Sequence, residues 1–510
     1  MGQSKMSLHK ARIKAFEDIL EQDIVNIEQL QKLAFNGVPD EKGLRSFVWK
    51  ILLHYIPLEK SAWETTLQKK RLLYQQLINE IIVSPGGPTD HPLNLSPDSS
   101  WSTYFKDNEV LLQIDKDVRR LCPDISFFQS ATEFPCSEIV NSNGVKRLHK
   151  RVEQSVLKYS TLERRGLGVA KLSNEIRRNE NITSGDYTPL NEGCEAHWEV
   201  VERMLFLYAK LNPGQGYVQG MNEIIGPIYH TFASDCNVEY RKHAEADCFF
   251  CFTNLMAEIR DFFIRTLDET ESGINYMMSK LCECVKKNDR AVWERLERQE
   301  LRPQYYSFRW LTLLLSQEFS LPDVERIWDS LFADPQRFNS LIYICCAMIL
   351  LVRDNLLNAD FASNVKLLQN FPPMDVSLIL KKAVEISSAM AKELGGPRYD
   401  PNTEAFQSRA QWKKVDNCRK QWIERWSWVL DERKQAQNEA DAIRQEVAAV
   451  LPHVTGKLES TKSLKPVPIV SSAIIGWLAA KPDCQLEIYT SWISKIPLKL
   501  PDAWDDKNYV

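Results

Sequence analysis

Asp117 and Arg120 stand three positions apart in "QIDKDVRRL", and Gln219 stands in "NPGQGYVQGMNE" among Gly214, Gly216 and Gly220. An arginine is a permanent cation with a planar fork of donors that matches phosphate oxygens. On a helix, a carboxylate one turn before it shares its flank and can aim it. A glutamine amide offers two donors and an acceptor, so it can accept from a water and donate to an oxygen at once. Taken singly, each feature is ordinary. An exposed Asp-x-x-Arg pair contributes a few tenths of a kcal/mol to a helix, and most amides in such turns are structural.

Other chemistry is absent from the pattern. There is no GxxxxGK[ST], no HExxH and no GxSxG. Only eight histidines occur, and none pair at ligand spacing. "GLG" at 166–168 has neither a strand before it nor a helix after it. The chain is therefore expected to hold no nucleotide or metal of its own. Cys248 and Cys251 form a CxxC inside the apolar "DCFFCFTNLM", with no second pair at metal spacing. The 12 cysteines read as buried, reduced thiols in a cytoplasmic protein. The "NIT" at 181–183 is then a glycosylation sequon by spacing alone.

The elements that must position Arg120 and Gln219 read as helices. Residues 10–34 are amphipathic, with Ile13, Phe16, Leu20 and Ile24 apolar. Leu44, Phe47, Val48 and Leu52 share one face of a helix closed by Pro57, and residues 61–83 form another, stopped by "SPGGP". "DHPLNLSPDSSW" reads as a loop. Leu111, Ile114, Val118 and Leu121 make a core stripe, with Asp117 and Arg120 on its flank. Trp198, Val201, Leu205 and Tyr208 mark a helix ending before Pro213, and Met221, Ile224, Ile225, Ile228 and Tyr229 mark the next. Gln219 falls in the turn between them or in the first turn of the second. Further helical patterns cover 244–267, 289–299, 305–318, 322–333, 338–356 and 375–393, and no strand alternation competes. The apolar run Phe338–Val352 is shorter than the ~20 residues that span a bilayer and reads as a buried helix.

The fold class is therefore all-α, with 1–34 an N-terminal helical segment, 35–395 the main domain and 396–510 an extension. Within the domain, 121–190 is a variable insertion whose second half at least is expected to be mobile. "GGPRYDPNTEAF" breaks the chain near 395. Beyond it Trp422, Trp426, Val429, Ala436, Ala440, Ile443, Val447 and Val450 fall near heptad spacing, so residues 420–450 read as one long helix open to a coiled-coil partner. Residues 463–510, rich in Pro and Trp, read as extended.

Composition excludes several classes. Apolar residues make up 44% and charged residues 26%, and the net charge is −4, which does not favour a nucleic-acid partner. Gly2 follows Met1, but N-myristoylation wants Ser or Thr at position six, and that position is Met6. No signal sequence opens the chain.

Three motifs occur together. Ile114, Asp117 and Arg120 give I-x-x-D-x-x-R; Tyr217, Gln219 and Gly220 give Y-x-Q-G; Arg45 and Trp49 give R-x-x-x-W behind a Gly-x-Pro. Over roughly 35–395 the chain resembles the TBC-domain family of Rab GTPase-activating proteins, and "RIWDSLFAD" at 326–334 is similar to that family's later W-D-x-x-F element. The resemblance implies an all-helical domain with two fingers. Arg120 matches the arginine finger and Gln219 the glutamine finger. Asp117 is then expected to orient the guanidinium, Tyr217, Gly220 and Asn222 to support the glutamine turn, and Arg45 and Trp49 to tie the first helix into the core. The implied partner is a GTP-bound Rab that carries the GTP and Mg²⁺, with membrane proximity through that Rab and a role in vesicle trafficking. Two features depart from the pattern: the long stretch between the finger motifs, and the extension from about 396. A reading of another class is a binding module that grips a GTPase without accelerating it, with the extension serving a scaffold.

Overall fold

The computed structural model describes residues 2–82, 100–140, 147–152, 193–263 and 273–393. The expectations for the 84–99 loop, the second half of the insertion, the 420–450 helix and the 463–510 segment lie outside the described residues. Contacts divide the chain into two compact units. The second unit is Pro85–Phe105 with Asp431–Val510. Its described part, 100–105, holds Trp101 and Tyr104 with ring centroids 5.7 Å apart, edge to face.

The first unit, Met1–Ser84 with Lys106–Leu430, is built from helices; among the described residues no strand occurs, and the only ladder fragments are two isolated bridges. Helices α1 (Gly2–Leu20), α2 (Ile27–Phe35), α3 (Leu44–Leu52) and α4 (Trp63–Ile81) come first. Helix α5 spans Ser100–Val118, α6 His197–Leu211, α7 Met221–Ala233 and α8 Ala244–Ile259. Then follow α9 (Ile274–Asn288), α10 (Arg290–Arg298), α11 (Ser307–Thr312) and α12 (Leu321–Ala333). The last four are α13 (Arg337–Leu351), α14 (Arg353–Asn358), α15 (Phe361–Gln369) and α16 (Val376–Glu393). Among the described residues no helix is long and apolar enough to cross a membrane.

Helix α6 is buried nearly all round, as a helix at the centre of an all-α core must be. Helix α7 packs on α8 and on α6. Helix α5 presents the expected stripe inward, with Leu111, Ile114 and Val118 fully buried, and Leu121, just past its end, is fully buried as well.

Several boundaries differ from those read in the sequence. The 34/35 division falls inside α2, which packs on α12, and Phe16 of α1 is fully buried in the same core. Residues 121–140 and 147–152, placed in the variable insertion, belong to the packed domain as far as they are described. Phe128 is fully buried, Ile139, Leu148 and Val152 are buried, and the Trp198 and His197 amides donate to Phe128 and Ser130. Helix α5 already runs at Ser100, where a loop was expected. The pattern at 305–318 stops at Thr312, because Leu314 and Leu315 take left-handed backbone conformations. The 338–356 pattern is divided at Val352. Helices α9 and α15 were not anticipated.

Arg45 and Trp49 lie on α3 and meet the "WD" element of α12. The carboxylate of Asp329, fully buried, accepts from Trp49 Nε1 at 2.8 Å, from the Val38 amide at 2.8 Å and from Arg45 Nε at 3.3 Å. Arg45 also reaches Glu325 at 3.2 Å and the Val38 carbonyl at 3.1 Å. The Trp49 ring lies 6.1 Å from Trp328 and 5.1 Å from Phe332. Burial nevertheless pushes the Asp329 carboxyl up to about 6, against the pull of Arg45 and the two N–H donors. Two sequence motifs far apart in the chain are thus one buried polar knot.

Candidate functional site

Arg120 lies just beyond α5 rather than on its flank. The helix ends at Val118, the Leu121 amide returns to the Val118 carbonyl, and Cys122 has φ +42 with Pro123 next; a proline cannot carry the helix further. The two adjacent arginines then part. Arg119 pairs with Asp115 at 2.9 Å and lays its guanidinium over the Trp198 ring at 4.5 Å. Arg120 leaves 60% of its side chain exposed while pairing with Asp117. Leu121 turns inward against Gly226 of α7, where an added Cβ would stand 3.0 Å from the leucine. The arginine turn is thereby seated on the helix that follows Gln219.

Asp117 joins the two motifs. It is buried. One carboxylate oxygen takes Arg120, and the other accepts the Tyr217 hydroxyl at 2.8 Å. Its backbone carbonyl accepts Asn222 Nδ2 at 3.3 Å, and the same amide donates to Glu223 at 2.8 Å. Burial, and then the Asp117 carboxylate, hold the Tyr217 hydroxyl far above its ordinary pKa, so it stays protonated and keeps the proton it donates to Asp117. Burial raises the Glu223 carboxyl as well, opposed by hydrogen bonds from Gln317 and Asn222 and by the charge of Arg120. Burial, with Glu223 and Asp124, pushes the Cys122 thiol up to about 12, which removes it as a nucleophile.

Gln219 sits in the turn before α7 and is exposed. Its side chain has no hydrogen-bond partner among the described residues. Gly220, the N-cap of α7, has φ +103, and an added Cβ would stand 2.7 Å from Leu313 Cδ2. Only glycine meets both conditions at low cost. Gly216 has φ +67 with open space around it. The N-terminal end of α7 begins two residues after Gln219, so the positive end of the helix dipole favours negative charge beside it.

The structure therefore brings Arg120 and Tyr217 onto the Asp117 carboxylate and Asn222 onto its backbone carbonyl, while Gly220 packs against Leu313 and Gln219 is displayed between Tyr217 and Gly220 in the same turn. Arg45 and Trp49 belong to the Asp329 knot. Sequence reasoning missed Glu223, Gln317 and Leu313. Glu223 stood in the quoted "GMNE", but nothing there marks Gln317 or Leu313, because their roles come from a turn almost a hundred positions away. Among the described residues no cluster of His, Cys, Asp or Glu is arranged to hold a metal ion.

Residues 159–357 match the family model described as RabGAP-TBC, Rab-GTPase-TBC domain. That span contains Gln219 and the Trp328–Asp329 element; Arg120 lies before it. The chain is 55% identical over 397 residues to TBC1 domain family member 13 of mouse, and 55% to that of human, in each case across 75% of this chain and 99% of the relative. The chain belongs to the TBC Rab-GAP family. The TBC fold is also that of the solved Ypt/Rab-GAP domain of Gyp1p, with a TM-score of 0.53 at 22% identity, covering 75% of this chain and 99% of that one. A second family model, described as Normal lung function maintenance, Low in Lung Cancer 1 protein, matches residues 396–509. This TBC chain thus carries, past the described domain, a segment similar to a different family.

Proposed function

We propose that this protein accelerates GTP hydrolysis by a Rab-family GTPase, supplying Arg120 and Gln219 in trans. The observation that carries the reading is the contrast at Asp117: a buried carboxylate holds two chain segments together, an exposed guanidinium pairs with it, and two residues after its Tyr217 partner stands an exposed amide with no hydrogen-bond partner among the described residues. A structural arginine would be half-buried against its neighbours as Arg119 is against Asp115 and Trp198, and a structural amide would have partners.

The partner Rab supplies GTP and Mg²⁺. As the γ-phosphoryl separates, charge spreads over its oxygens and toward the bridge to the β-phosphate. Arg120 swings from Asp117 to those oxygens, where its fork is worth more than in the exposed ion pair. The Gln219 amide accepts from the attacking water and donates to a phosphate oxygen, fixing the line of attack. Asp117 keeps Arg120 close to its working position in the free protein. The turn glycines let the backbone come near the nucleotide. The protein would act in the cytoplasm, reach membranes through the Rab it engages, and so regulate vesicle trafficking.

The test is phosphate release from a panel of GTP-loaded Rabs. The wild-type chain is expected to accelerate at least one of them, and Arg120→Ala to lose on the order of 10³ to 10⁵ of that acceleration. Arg120→Lys is expected to fail too, since it lacks the fork. Rab binding with no acceleration by the wild-type chain would replace this reading with that of a binding module.

A further inference from the structure

Below the glutamine turn lies a strained one. Leu314 and Leu315 are consecutive non-glycine residues with φ +50 and +65, a conformation that a branched side chain adopts only when its surroundings impose it. The surroundings are visible. The Leu314 carbonyl accepts from Trp328 Nε1 at 2.9 Å, and the Leu315 amide returns to the Trp310 carbonyl at 3.0 Å. Both tryptophans are fully buried. The strain has a visible consequence. It brings Leu313 Cδ2 to 2.7 Å from the place where Gly220 would carry a Cβ, so the leucine fills the space under the residue next to Gln219. Glu223, in the first turn of α7, shares the Asn222 amide with the Asp117 carbonyl.

We propose that the Leu313–Leu315 turn is the seat of the glutamine finger, Leu313 being a positioning residue that acts through Gly220. Its side chain does not have to touch the nucleotide. A rigid floor limits the φ/ψ excursions of residues 218–220 and so holds the Gln219 amide where a water must be aligned. Trp328 extends this support to the Asp329 knot, since the indole that pins Leu314 neighbours Asp329 in sequence. The proposal rests on the two-finger reading for its catalytic consequence, but its structural claim can be tested without any GTPase.

The first measurement is amide hydrogen exchange on the full chain. Leu313→Ala should speed exchange at Met221 to Glu223 while leaving α5 and α12 unchanged, and Leu313→Met should restore the wild-type rates. Leu313→Val is a milder truncation, expected to fold even where Leu313→Ala does not and to act in the same direction. Unchanged exchange with Leu313→Val, and with Leu313→Ala wherever it folds, would overturn the proposal whatever the GTPase result. The second measurement uses the Rab that responds best to the wild-type chain. Leu313→Ala and Leu313→Val should each lower kcat by roughly ten to a hundredfold at unaltered KM, the scale of a small misplacement of a catalytic group. In a Gln219→Ala background the same changes should cost nothing further, as a residue acting through Gln219 requires. A full additional loss in that background, or a rise in KM at constant kcat, would contradict the positioning role. If Gln219→Ala itself has no effect, the two-finger reading fails, and the exchange result still decides whether this turn seats that loop.

Discussion

Replacing Tyr217 by Phe removes one hydroxyl from the junction of the two motifs, and its cost can be set against that of Arg120→Ala. The Tyr217 hydroxyl donates to Asp117 at 2.8 Å, and both residues are buried. A hydrogen bond to a charged acceptor contributes about 1.5 to 3 kcal/mol, more when no water can replace the lost donor. Tyr217→Phe should therefore destabilise the domain by about 2 kcal/mol. Arg120 uses the other oxygen of the same carboxylate but is 60% exposed, and an ion pair at such a site is worth under ~1 kcal/mol. Arg120→Ala should leave stability nearly unchanged. Denaturant unfolding of the full-length wild type and the two variants, followed by tryptophan fluorescence, measures both values. In the GTPase assay the order reverses: Arg120→Ala should abolish acceleration, and Tyr217→Phe should lower it by about tenfold to a hundredfold by loosening both turns. Equal destabilisation by the two variants would make Arg120 a structural partner of Asp117 and would refute the argument that it is held in reserve for phosphate.

Asp329→Ala leaves Trp49 Nε1, the Val38 amide and Arg45 Nε without their buried acceptor, so thermal melting should show a loss of about 3 to 5 kcal/mol; a change under ~1 kcal/mol would show that the knot does not anchor α3 to α12. His197 donates to or accepts from the Tyr229 hydroxyl at 2.8 Å, and burial, with the nearby His230, lowers its pKa from 6.5 to about 4. The unfolded chain then binds a proton that the folded one refuses between those values, so stability falls as pH drops from 6.5 toward 4, by about 2 kcal/mol at pH 5. Denaturant midpoints at pH 7 and pH 5 for wild type and His197→Phe check this, the variant being expected to lose that part of the slope. A chain ending at Leu394 should stay folded and active, because the break at "GGPRYDP" follows directly on α16; loss of helical circular dichroism on truncation would show that residues beyond 394 are needed by the domain.

The legible part of this protein was its periodicity. Leu111, Ile114, Val118 and Leu121 recur at helical spacing, and all four are fully buried, because an amphipathic stripe has only one way to leave water. The approach of Asp117 to Tyr217 was not derivable from spacing, since the chain between them is long and their contact depends on how α5 and α7 pack. The motif resemblance implied only that Arg120 and Gln219 meet. Illegible were the events decided by distant partners. Nothing local forbids helix at Leu314 and Leu315; the turn there depends on Trp328 and Trp310. Residues 121–140 read as part of a variable insertion, yet Phe128 is fully buried and Phe127 stacks 4.1 Å from His197. Irregular backbone reads as loop in a sequence even when its side chains belong to the core.

The central claim is that Gln219, rather than a glutamine of the GTPase, orients the attacking water. GTPases commonly carry a glutamine for that task. Phosphate release should be measured for four combinations: wild-type chain or Gln219→Ala, each with the responding Rab or with that Rab's glutamine changed to alanine, with melting temperatures and Rab binding recorded alongside. The account predicts that the wild-type chain activates both forms of the Rab, and that Gln219→Ala, still folded and still binding, activates neither. Activation that vanishes with the Rab's own glutamine and survives Gln219→Ala would contradict it, even with Arg120 essential.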